Sequence, residues 1–150
     1  MSATTAEQIV DRVVAVLGAV DGTGVYDTDL RGKVFAADQI TPVSMNATPL
    51  VLIGYDSIDP ATGLRERTLT VAVDVFVDAD YASTRGLAVR ALLLRIRRDI
   101  EVALHAVRYS ESLLRHQRLS GAALNQPEAG ATRNSLTMRF AFTFTEERAA

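Results

Sequence analysis

The residues able to do chemistry stop short of a working site wherever they cluster. Gly22-Thr23-Gly24 could open a dinucleotide-binding turn, but Asp27 holds the third glycine position and the stretch follows a helical pattern instead of a strand. Gly32-Lys33 has the ending of a phosphate-binding loop, yet Val34 replaces the magnesium-binding hydroxyl and Asp27 the first glycine. Asp27-Thr28-Asp29-Leu30-Arg31-Gly32 with Asp38 approaches the spacing of a calcium loop. Arg31 sets a cation at a ligand position there and no amphipathic helix follows Asp38, so a solvated turn is expected. Asp78 and Asp80 could share a divalent ion, but acidic residues ahead of a helix are more simply partners of its dipole.

His105 and His116 are the only histidines, so a triad or metal cluster would need one of them with unrelated partners. His105 falls near a helix end, where an imidazole meets the last carbonyls. No serine lies in a nucleophile elbow, and no carboxylate pair has a spacing that would drive its two pKa values apart. The lack of cysteine removes disulfides, thiolate metal sites and thiol nucleophiles, and fits a reducing cytosol. A net charge of −2 gives no general attraction to nucleic acid. In the basic cluster Arg95-Ile96-Arg97-Arg98, Arg97 and Glu101 stand four apart, as do Arg95 and Asp99. That is the spacing of a salt-bridged exposed face, and the interleaved aromatics of a single-strand binder are missing. The expectation is a protein that is not an enzyme and uses neither metal nor cofactor.

The elements that would position these residues form one domain over residues 1–150. With 48% apolar and 23% charged residues the chain lies near the globular average and has the length to bury a full core. It has no run near the ~18 apolar residues of a membrane span, and Met1 to Glu7 lacks the basic and apolar parts of a signal peptide. Asn46-Ala47-Thr48 is then a chance match to a glycosylation pattern.

Thr4 and Glu7 have capping-box spacing, and Ile9, Val10, Val13, Val16, Leu17 and Val20 recur at helical intervals up to Gly18 or Gly22. Residues 21–49 read as a long, partly extended connection, with strand-like pieces at Val25-Tyr26 and Lys33-Val34-Phe35. Within it, the apolar pieces from Val25 to Met45 are too few to offset the cost of fixing the backbone, so ordering mainly by neighbouring subunits or partners is expected there. Residues 50–55 read as a strand, 59–63 as a turn, and the alternation of Leu69, Val71, Val73, Val75 and Val77 as a second strand. A helix is expected from a cap at Ser83 or Thr84 to about His105. A strand follows over 113–120, then an Ala- and Gly-rich loop over 121–134, and a last strand with Leu136, Met138, Phe140, Phe142 and Phe144 on one face. The fold class is α+β: a mostly antiparallel sheet of four to five strands with two helices on one face, in the order α-β-β-α-β-β with a possible extra strand after the first helix.

The second helix carries its core stripe at Val89, Leu92, Leu93, Ile96, Ile100 and Leu104. Leu87, Ala91 and Leu94 make a second apolar ridge, which with Arg90 and Arg98 is the expected subunit interface; the alternative is that the 121–134 loop folds over it.

In order and length these pieces resemble the tail-terminator family of long-tailed bacteriophages. The resemblance runs through Ile9-Val10-Asp11-Arg12-Val13-Val14, Thr48-Pro49-Leu50-Val51-Leu52-Ile53, Arg65-Glu66-Arg67-Thr68-Leu69-Thr70-Val71-Ala72-Val73-Asp74-Val75-Phe76-Val77, the helix end Arg98-Asp99-Ile100-Glu101-Val102-Ala103-Leu104, and Leu136-Thr137-Met138-Arg139-Phe140-Ala141-Phe142-Thr143-Phe144. It covers most of the chain and least of 21–48. It implies a virion protein that caps the tail tube as a homo-oligomeric, usually hexameric, ring. Its partners would be the tail tube protein and a head-completion or neck protein, with DNA passing through without specific binding and no membrane involved. Another neck or head-tail joining component is the nearest alternative, an enzyme or small-ligand binder and a small nucleic-acid-binding module more distant ones.

Overall fold

The computed structural model describes residues 4–42, 44–60, 65–125 and 133–145. Helix α1 (Thr5–Gly18) starts on the expected capping box: the Thr4 hydroxyl accepts from the Glu7 N–H at 3.2 Å, and the Glu7 carboxylate accepts from the Thr4 N–H at 2.6 Å. Strands β1 (Val34–Ala36), β2 (Leu50–Pro60) and β3 (Glu66–Asp78) follow, then α2 (Ala79–Thr84), α3 (Val89–Ala106), β4 (Gln117–Asn125) and β5 (Arg133–Thr145). They build one mixed sheet in the order β1-β2-β3-β5-β4, in which only β1 and β2 run parallel. The class is the expected α+β, with β1 as the extra strand after the first helix.

One sheet face carries the core. Leu69, Val71, Val73, Val75 and Val77 of β3 lie in register with Phe142, Phe140, Met138, Leu136 and Asn134 of β5, and the apolar members of both rows are buried. Ile9, Val13 and Leu17 of α1 and Leu92, Leu93, Ile96, Ile100 and Leu104 of α3 close over them. Each such side chain contributes roughly 1.5–3 kcal/mol over its exposed state, so the two helices are held to the sheet mainly by this layer.

Four boundaries differ from the sequence reading. Ser83 and Thr84 end the short helix α2 instead of capping the long one; the chain turns through Gly86, at φ +69°, and α3 begins after Ala88. A left-handed residue cannot continue a helix, which splits what the sequence presents as a single run. Strand β4 starts at Gln117 and continues through Gly121, Ala122 and Ala123, which lack the β-branched signature and were expected to be loop. Val25 and Tyr26 form no strand. β2 extends to Pro60, pairing Asp59 with Thr68 and Pro60 with Arg67, while residues 61–63 of the expected turn lie outside the described residues.

The connection from α1 to β1 is also ordered differently. Leu30 is fully buried, its N–H donates to the Val20 carbonyl at 2.8 Å, and the Val51 N–H reaches the Lys33 carbonyl at 2.9 Å as β1 enters the sheet. The chain's own core thus holds this stretch at Leu30 and at the entry to β1, inside the segment where ordering by neighbours was expected.

Candidate assembly surface

Helix α3 turns Leu92, Ile96, Ile100 and Leu104 to the sheet and, at 100° per residue, sends Ala91, Leu94 and Arg98 to the outer side. Leu94 is 41% exposed, Ala91 is half-buried, and Arg90 and Arg98 are exposed. Leu87 does not join them. It precedes the helix, packs half-buried against the core, and its N–H donates to the Ala82 carbonyl at 3.0 Å. Arg98 is engaged within the chain: its guanidinium donates to the Val25 carbonyl at 3.1 Å and lies 3.5 Å from the carboxylates of Asp27 and Asp99. Of the five expected interface residues, Ala91, Leu94 and Arg90 therefore make the accessible patch.

Beside Arg98 sits a buried carboxylate that the charge pattern had assigned to Arg95. Asp99 is fully buried and accepts from the Asp27 N–H at 3.1 Å, the Thr28 N–H at 2.7 Å and the Thr28 hydroxyl at 2.5 Å. A carboxylate only accepts, and the three donors converging here are what make its burial tolerable. Arg95 is exposed instead. The signal was in the spacing: Asp99 belongs to the apolar series Leu92, Ile96, Ala103 at helical intervals. Arg97 and Glu101 do form the expected i, i+4 ion pair.

The acidic loop does not converge on a centre. Asp27 faces Arg98, while Asp29 is bridged by Arg31 at 2.9–3.0 Å, and these hydrogen bonds lower its carboxyl to about 2. Asp38 lies in the short helical turn after β1. Asp78, ahead of α2, pairs with Arg133 at 3.1 Å, and Asp80 stays in the first turn of that helix. Among the described residues no three His, Asp or Glu side chains come together as a metal site. His105 lies 3.2 Å from an Arg108 guanidinium nitrogen, and the His116 carbonyl accepts from the Thr143 N–H.

The face of the sheet away from the helices satisfies its own polar groups. The Asn125 amide donates to the hydroxyls of Ser135 and Thr137 at 2.9 and 3.0 Å, the Thr137 hydroxyl donates to Asp74 at 2.7 Å, and Arg139 reaches Asp56 at 2.7 Å. On the helix side, by contrast, β4 extends beyond the cover of α3 and leaves two open hollows. One, of about 520 Å³, lies between Glu101, His105 and Arg108 and the strand residues Leu119 and Phe140. The other lies between Leu93 and Leu124. Leu119 and Leu124 are 37% and 40% exposed, and every β4 residue but Gln117 is exposed. The sequence reading placed a strand over 113–120 but missed its continuation through 121–125, because a run exposed on both faces has no apolar alternation.

No protein-family model and no curated protein matches this chain.

Proposed function

We propose that the protein is a tail terminator, a structural virion component that caps the phage tail tube as a homo-oligomeric ring, ends tube polymerisation and joins the tail to the head or neck. The order and lengths of its elements support this reading. The observation that carries it is the accessible apolar patch of Leu94 and Ala91 beside Arg90, mounted on a helix whose opposite side is locked into the core. Arg95, Arg97 and Arg98 splay around α3, and two of them are tied to Glu101 and to the Val25 carbonyl, so they offer DNA no continuous phosphate track.

The test is solution mass by light scattering together with circular dichroism. In a closed ring every subunit repeats the same contact, so Leu94→Asp should give a smaller particle with unchanged helix content. An intact oligomer would remove α3 from the interface. A wild-type protein that never assembles would remove the ring.

A further inference from the structure

The outer edge of β4 is nine residues long, carries one charged side chain, Arg118, and contains no proline. Natural sheets usually blunt such edges by shortness, charge, proline or a bulge. The opposite edge is blunted in this way, since β1 has only three residues. β4 has only the bulge at Ser120, between the pairs Leu119–Phe140 and Gly121–Arg139.

The ladder identifies which backbone groups are unspent. The Thr143 N–H donates to the His116 carbonyl, so by antiparallel alternation Arg118 and, past the bulge, Gly121, Ala123 and Asn125 direct their backbone groups at β5. Gln117, Leu119, Ala122 and Leu124 direct theirs outward, and among the described residues these N–H and C=O groups have no backbone partner. The bulge makes this set symmetric. Gln117 and Leu124 are equally far from the Ser120–Gly121 step, and so are Leu119 and Ala122.

We propose that the β4 edge pairs with the β4 edge of a second copy about a two-fold axis at the Ser120–Gly121 step, forming one continuous sheet across the dimer. Leu119 then faces the partner's Ala122 and Gln117 the partner's Leu124, each pair exchanging both backbone hydrogen bonds. The two bulges oppose each other. Leu119 and Leu124, the exposed leucines of the strand, come to lie at the seam. Arg118 faces the partner's Ala123, which leaves the two arginines about 17 Å apart at ~3.4 Å per residue, beyond the Debye length of about 8 Å at physiological salt. No like-charge contact opposes the pairing, and the spacing matches a second copy of this strand without requiring an unlike one. This contact is isologous and uses neither Ala91 nor Leu94, so it goes beyond the tail-capping reading and stands independently of it.

Two measurements test it. In the wild type, amide exchange at Leu119, Ala122 and Leu124 should be fast when dilute and slow as concentration rises; exchange that stays fast at every concentration overturns the pairing. On the Leu94→Asp background, which removes any α3 contact, the particle should be a dimer of the 16.2 kDa chain, and adding Ala122→Pro or Leu119→Lys should reduce it to a monomer. A monomer before either addition, or a dimer that survives both, overturns the proposal. A wild type that forms the edge dimer and nothing larger upholds the pairing and removes the ring.

Discussion

Residues 20–33 and strand β4 reverse the usual association of regular structure with fixed structure. The first segment has almost no repeating geometry, yet Thr28 and Leu30 are buried and the carboxylate of Asp99 gathers the backbone of Asp27 and Thr28. The second is a regular nine-residue strand, yet it is exposed nearly throughout and has one edge without a backbone partner among the described residues. What separates them is whether the backbone groups are satisfied within the chain. The irregular segment has spent its hydrogen bonds on its own core, and the regular strand still has a row available for something else.

The largest expected effect that bears on this contrast comes from Asp99→Ala. It strands the buried donors of Asp27 and Thr28 and should cost about 3 kcal/mol or more, read as a lower urea midpoint. A loss below about 1 kcal/mol would mean that Leu30 and β1, not the carboxylate, hold the segment. Next comes a pair of substitutions on β4. Ala123 directs its N–H into the ladder with Thr137, so Ala123→Pro should lose at least the ~1 kcal/mol of one net hydrogen bond, while Ala122→Pro removes only an outward N–H and should cost less. Equal losses would contradict the assignment of the free edge.

The smallest effect lies at Asp29, whose folded carboxyl is lowered by the Arg31 hydrogen bonds from its ordinary 3.8 to about 2. A depressed acid contributes stability that is complete above its unfolded value, so this contribution is present above pH 3.8 and is lost as pH falls toward 2. The pair is exposed at 64% and 43%, so its share is small and salt-sensitive. Carboxyl titration followed by NMR should show the depressed midpoint, and Arg31→Ala should return it toward the ordinary range.

How much of this was legible in the sequence follows from where each signal originates. β3 and β5 were readable because both bury one face, which imposes strict alternation from Leu69 to Val77 and from Leu136 to Phe142. The capping box was readable because both partners are local. Asp99 was misassigned because the i, i+4 rule looks along the helix surface, whereas its true partners are 71 and 72 residues away. The patch on α3 was visible through Ala91 and Leu94, but Leu87 was attached to it by assuming that the helix began before Gly86. The first half of β4 fell within the strand expected over 113–120, but its second half had no sequence signature: Gly121-Ala122-Ala123 resembles a loop, and only pairing with β5 makes it a strand.

The pair formed by Asp56 and Arg139 has a consequence for how this sequence can drift. Asp56 occupies the bulge of β2, Arg139 lies on β5, and the strand between them presents Ala72, in register with Gly54 on one side and Arg139 on the other. Although Ala72 is on the face without helices, it is only 8% exposed. The Arg139 side chain must cross β3 to reach Asp56, and the residue of β3 in register with it on that face is Ala72. Positions 56, 72 and 139 are thus tied together: a branched side chain at 72 obstructs the crossing, and without the acid at 56 the arginine has no reason to cross. Substitutions at the three sites should be epistatic, and in descendants of this chain they should change together or not at all.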